Sequence, residues 1–150
     1  FLREVGQDAI GAVQSFTYWV EGREDEEVQA FVSAYEEAHG EIPSLYAAGS
    51  YMMAQVIAEA LRTTGGEVNG AEFVEAARGV SLENSLYGPL QFDEYNNVVG
   101  PVYQTEIVDR GDGTLWAVVA ETFDEVSQFW NKTPEEYMQN PVFTRDYQGN

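Results

Sequence analysis

Residues 44–66, SLYAAGSYMMAQVIAEALRTTGG, are the longest periodic segment of the chain, and any fold it adopts must cover their apolar side. Leu45, Ala48/Gly49, Met52, Val56 and Ala60 recur at a helical spacing, with a second line at Met53, Ile57 and Leu61. Two adjacent lines make a face wide enough for most of the helix to be buried. Pro43 and Ser44 supply a start signal, and Gly65-Gly66 a stop. The apolar positions need no explanation beyond a core. Tyr46 differs, because a side chain in the first turn can project past the helix end towards a cleft.

The totals narrow what surrounds this helix. A chain of 150 residues is long enough for one domain with a sizeable core. Three Trp, eight Phe and nine Tyr argue for a folded globular chain. The balance of 26 acidic against seven basic residues, a net −19, repels phosphate backbones and anionic membrane surfaces. Nucleic acid is therefore excluded as a partner. Such acidity, with Lys132 the sole lysine, fits a high-salt habitat and equally an ordinary acidic protein. The absence of cysteine removes disulfides, thiol catalysis and Cys-based zinc sites. No apolar run reaches the ~18 residues that a membrane span needs. The chain opens at Phe1 without Met and its first residues read as the middle of something longer, so a fragment or processed product is expected.

In chain order, residues 9–19 are β-branched and aromatic and predict a strand. Residues 21–25 form an acidic, Gly-containing connection. Glu24-Asp25-Glu26-Glu27 places negative charge where a helix dipole favours it, and predicts a helix with a stripe of Val28, Phe31, Val32, Tyr35 and Ala38, ended by Gly40. After the long helix, residues 71–78 predict a third, packing through Phe73, Val74 and Ala77. Residues 86–92 contain Gly88-Pro89 and predict an edge strand, since proline cannot donate to a central ladder. Residues 93–97, DEYNN, are turn chemistry. Strands at 102–108 and 114–119 flank Arg110-Gly111-Asp112-Gly113, a hairpin signal. From Ala120 onward the chain reads as irregular, with one short helix at 134–138 capped by Thr133, the whole tail wrapping a larger body. One strand, three helices and three strands are too few strands to close a sheet around helices this apolar.

No constellation points to catalysis. His39 is the sole histidine, which removes Ser-His-Asp and His-based metal sites, and it stands where a cation complements a helix C-terminus. The carboxylates sit mostly in runs that read as solvated faces, although a catalytic pair among them is conceivable. Asp109 and Asp112 do not match a calcium loop, because Gly111 replaces a ligand. No cofactor or metal is expected. Asn131-Lys132-Thr133 matches a glycosylation sequon, but Pro134 follows it.

One ordered string remains. Phe31-Val32-Ser33-Ala34-Tyr35, Gly40, Pro43, Tyr46-Ala47-Ala48, Tyr51, Ala60-Leu61 and Gly65-Gly66 are followed by Phe73, Ala76-Ala77, Tyr87-Gly88-Pro89 and Phe92-Asp93. Together, over roughly residues 6–119, they resemble the C-terminal part of type I periplasmic binding proteins, the family of the leucine/isoleucine/valine receptors of ABC importers. The resemblance implies an α/β fold, the C-terminal piece of a two-lobed receptor with Rossmann-like layers. Residues 1–119 would supply an interlobe crossover, helices and a strand of the N-terminal lobe, and closing strands. Residues 120–150 would be a C-terminal extension.

The implied function is capture of an amino acid, amide or small organic acid in an interlobe cleft, without a chemical step. Implied partners are the small-molecule ligand, the upstream part of the same receptor and a membrane permease. The implied location is periplasmic or otherwise extracytoplasmic, with or without a lipid anchor. Tyr46 aligns with an aromatic cleft position of the family, and Ser15 and Tyr18 at the crossover are further ligand-binding candidates. A surface or interlobe tyrosine is the plainer reading of Tyr46. A ligand-sensing regulator of the same fold is the alternative function.

Overall fold

A computed structural model describes residues 5–139. A 3-10 turn at Gly6–Ala9 precedes β1 (Val13–Thr17), and three helices follow: α1 (Glu26–His39), α2 (Leu45–Thr63) and α3 (Gly70–Arg78). Then come β2 (Ser81–Leu82), β3 (Leu90–Phe92), β4 (Val98–Asp109), β5 (Leu115–Val126) and the short α4 (Pro134–Met138). The expected wrap of residues 140–150 lies outside the described residues.

Local chemistry explains where the helices begin and end. The Ser44 hydroxyl accepts from the Ala47 N–H at 3.3 Å, satisfying one of the orphan donors of α2. Gly66, in the left-handed region at φ 91°, returns its N–H to the Leu61 carbonyl at 2.8 Å and closes the helix. In α1 the acidic first turn and His39 in the last turn both complement the dipole, and Gly40 at φ 71° caps the end. Thr133 and Glu136 form a reciprocal capping box at α4.

Every strand pair is antiparallel. β4 organises the sheet. Its first residues, Val98 and Val99, pair with β3, while Tyr103, Thr105 and Glu106 pair with β1. From Gly100 to Asp109 the opposite edge of β4 pairs with β5 across the hairpin turn.

Four expectations are corrected. β1 is shorter than residues 9–19: Gly11 turns at φ 79°, and Trp19 leaves the ladder to donate its indole N–H to the Pro43 carbonyl at 3.2 Å. The edge strand expected over 86–92 is only Leu90–Phe92 and is not an edge. The Ser85 hydroxyl accepts from the Tyr87 N–H and donates to the Gly88 carbonyl, folding 85–88 into a turn. Pro89 therefore stands outside the ladder and removes none of its bonds. The edge is instead the two-residue β2, which was not expected. The irregular stretch expected from Ala120 is β5, running on to Val126. Glu121 and Thr122 are exposed and held by ladder pairing with Gln104 and Tyr103, so no burial alternation marks them.

The described residues form two bodies with separate cores. In the helical body, α1, α2 and β3 bury Val28, Val32, Ala48, Met52, Leu86 and Leu90 together with Trp19. Val56, Ala60 and Val80 extend this packing towards α3. In the strand body, Ala9, Val20, Tyr103, Ile107 and Ala117 form the second core. Each fully buried Val or Leu contributes about 1.5–3 kcal/mol to its own body. Trp19 and Val20 are consecutive, yet they belong to different cores.

The chain passes between the bodies at three places: residues 18–23, β4 at Gly100-Pro101, and residues 126–129 after β5. At the first, backbone lies on backbone. Gly22 donates to the Ala117 carbonyl at 2.9 Å, and a Cβ there would stand 2.4 Å from that oxygen and 2.9 Å from Val118 Cγ1. Gly22→Ala is expected to cost roughly 1–3 kcal/mol by overpacking. It should read as a lower urea midpoint at unchanged m-value; an unchanged midpoint would contradict this packing.

Candidate functional site

The first passage and the start of α2 meet. Trp19 fixes Pro43 from below, so the first turn of α2 emerges beside residues 18–20. Tyr46 stands in that turn with 85% of its surface exposed. Gly49 and Met53 follow it at helical intervals of three and seven, on the same face.

Gly49 and Met53 open into a cavity of about 500 Å³ between α2 and the β3–β4 end, within the usual size of a small-molecule site. Tyr18, Met52, Tyr87 and Phe92 line it, with the amides of Asn97 and Gln128 at its border. No charged side chain lines it. The Tyr18 and Tyr87 rings lie 6.1 Å apart. A Cβ at residue 49 would stand 3.0 Å from the Tyr87 hydroxyl, so glycine lets that ring cross the helix. Tyr18 therefore enters the cavity. Tyr46 does not line it and lies one turn away along the same helix face. Ser15 belongs to β1 (Val13–Thr17), and its side chain is outside the described part of the structure.

The passage itself carries two charged groups. Arg23 is 8% exposed; its Nε and Nη2 donate to the two oxygens of Asp25 at 2.8 Å, and its Nη1 donates to the Leu86 carbonyl at 3.0 Å. The guanidinium carbon also sits 4.9 Å from the centre of the Tyr103 ring, and the Tyr103 hydroxyl donates to the Tyr87 carbonyl at 3.2 Å. Arg23 thereby ties the helical body to the strand body. Glu21 accepts from the Ala117 N–H at 2.9 Å, and burial raises its carboxyl above its ordinary value despite that bond.

These two residues sat inside what the sequence presents as an acidic connection. The available signal was a lone arginine among five residues rich in carboxylates. Elsewhere the acids do local work. Asp93 accepts from the Tyr95 and Asn97 N–H groups, as its turn requires. Asp112 accepts from the Thr114 N–H and hydroxyl within the hairpin turn. Among the described residues no group of three or more His, Asp or Glu is placed to hold a metal ion.

The helical and strand bodies, with an aromatic cavity where they meet, make an α/β architecture around an open sheet. The family model described as periplasmic binding protein matches residues 2–112, and the chain belongs to that family. Its fold is that of the type I, branched-chain amino acid transporter-like members. The chain is similar to an ABC transporter substrate-binding protein from Sphaerobacter thermophilus, at 31% identity and TM-score 0.75, over 83% of this chain and 34% of that one. It is similar to a solute-binding protein of an ABC transporter from Rhodopseudomonas palustris BisB5, solved with 3,4-dihydroxybenzoic acid, at 28% identity and TM-score 0.74 over 81% and 33% of the two chains. It is 29% identical over 127 residues to Leu/Ile/Val-binding protein homolog 6 of Brucella abortus, covering 83% of this chain and 32% of that protein. The chain thus spans about a third of the length of these relatives.

Glu21 yields a pH prediction. A carboxyl whose folded value is raised binds its proton more tightly folded than unfolded, so folding becomes more favourable as pH falls through that value. Glu21→Gln keeps an oxygen acceptor for Ala117 and removes the buried charge. The variant should melt above the parent at pH 7, with the gap closing in acid as Glu21 itself protonates. A gap that stays constant with pH would contradict burial as the cause.

Proposed function

We propose that the chain forms the C-terminal part of the substrate-binding component of an ABC importer, which captures an amino acid, amide or small organic acid in the cleft between its lobes. The carrying observation is the pair of separate cores joined at narrow passages, in a chain whose relatives are transport receptors. Such a body binds by population shift: contacts available only between closed lobes favour the closed state. No bond is made or broken.

The ligand class draws on the relatives. One was solved with 3,4-dihydroxybenzoic acid, and another is named for leucine, isoleucine and valine. Those molecules share a carboxylate on an apolar body. In our reading Tyr46 lays its ring on the apolar part and offers its hydroxyl for a hydrogen bond, with Tyr18 and Ser15 bordering the cleft at the crossover. The exposure of Tyr46 at the start of α2 supports that role, since a ring committed to the core would have no surface to give.

The partners follow from what is bare. Met53 and Ile57 leave 57% and 42% of their surface exposed on the flank of α2 that Tyr46 shares. We assign that face to the upstream part of the same receptor. A permease receives the closed receptor, which works outside the cytoplasm. Residues 1–119 form the receptor part and 120–150 an extension, joined without a break by β5.

The test is calorimetric titration of the full-length receptor with leucine, valine and 3,4-dihydroxybenzoate. Tyr46→Ala should weaken binding of the recognised ligand at least about tenfold, roughly 1.4 kcal/mol, while the melting temperature without ligand stays within a degree or so. Unaltered affinity removes Tyr46 from the site. Loss of unliganded stability alone makes it structural.

A further inference from the structure

The polar links between the two bodies described so far cluster at the passages. One does not. Arg110, in the turn of the β4–β5 hairpin, donates from both terminal nitrogens to both oxygens of Glu36 on α1, at 2.5 and 2.9 Å, across 74 residues of sequence. The two side chains are only 23% and 28% exposed. The guanidinium also lies 4.7 Å from the centre of the Trp116 ring on β5, which fixes its plane. A fork-to-fork pair on an aromatic face is orientationally demanding, unlike a flexible surface ion pair.

We propose that Glu36 and Arg110 form a latch that sets the angle between the helical and strand bodies. Its position gives it leverage. Arg110 lies ten residues beyond Gly100 along β4, roughly 30 Å at the rise of a strand, so a rotation of about 10° at the passages would move it ~5 Å. That is enough to break both hydrogen bonds, whose range ends near 3.2 Å. The latch also works against a bias. With 26 acidic and seven basic residues the two bodies repel each other, and Arg110 places one of the few cations between them. The Arg110 hydrogen bonds hold the Glu36 carboxyl below its ordinary value, and Asp112, 4.0 Å from Arg110, adds a second anion on the hairpin side. The latch rests on the geometry of this chain and stands whether or not the cleft takes the ligands considered above.

The absence of cysteine from this chain makes the test direct. Nitroxides are attached through Glu72→Cys on α3 and Glu121→Cys on β5, both exposed and far from the pair, as the only cysteines of the full-length protein. Pulsed dipolar spectroscopy without ligand then reads the distance between the bodies. Arg110→Ala and Glu36→Gln should each shift the distribution outward and broaden it, and Arg110→Lys, which keeps the charge but loses the fork, should fall between them and the parent. Glu36→Gln is isosteric on a partly exposed helix turn, so it decides the matter even if Arg110→Ala fails to fold. A parent-like distribution in a folded Glu36→Gln variant, with only the melting temperature lowered, overturns the latch and leaves the pair as plain stabilisation.

Discussion

A buried guanidinium must have its N–H groups satisfied and its charge balanced, and Arg23 meets both conditions only if the two bodies stand where they do. Asp25 supplies the charge, the Leu86 carbonyl takes Nη1, and the Tyr103 ring covers the guanidinium face. Asp25 and Leu86 belong to the helical side, and Tyr103 to the strand side. Removing Asp25, itself half exposed, leaves the buried guanidinium without its counter-charge, and removing Arg23 leaves the Leu86 carbonyl without its donor, each costing about 1–3 kcal/mol. The rest of the junction follows from this contact: Tyr103 reaches Tyr87, Tyr87 reaches the glycine face of α2, and Tyr18 closes against Tyr87.

Separate cores give each body its own stability, and the passages between them are short, with the consecutive Trp19 and Val20 turned into opposite cores. That division is what a hinge requires. Packed interiors resist continuous deformation, so relative movement concentrates where few side chains interdigitate. Backbone-on-backbone contact at Gly22 and the turn at Gly88, whose added Cβ would stand 2.7 Å from the Tyr103 hydroxyl, show how closely the chain approaches itself there. The cavity at the junction is lined mainly by apolar and aromatic side chains, and its polar border comes from Asn97 in the β3–β4 turn and Gln128 in the third passage.

The sequence made legible whatever is settled locally. Ser44, Gly40, Gly66 and Thr133 act within a turn or two of themselves, so the helix limits could be read closely. The hairpin at 110–113 carries its own geometry. β5 beyond Ala120 could not be read, because Glu121 and Thr122 owe their extended shape to pairing with β4 and not to any pattern of their own. β2 is two residues long and exists only because β3 lies beside it. The long-range pairs, Arg23 with Leu86 and Arg110 with Glu36, join residues dozens of positions apart and leave no local trace. Of the candidate site, Tyr18 enters the junction cavity and Tyr46 stands one turn outside it. The family resemblance carried both; periodicity showed only that Tyr46 was not needed by the core.

A hinge between the helical and strand sides requires two bodies, each with its own core. Native-state hydrogen exchange under increasing denaturant reads this directly, because amides that open together share one free energy. The amides of Val32, Met52 and Val56 should converge on one opening free energy, and those of Tyr103, Ile107 and Ala117 on a different one. Convergence of all six on a single value would mean one cooperative core, and would contradict the two separately cored bodies.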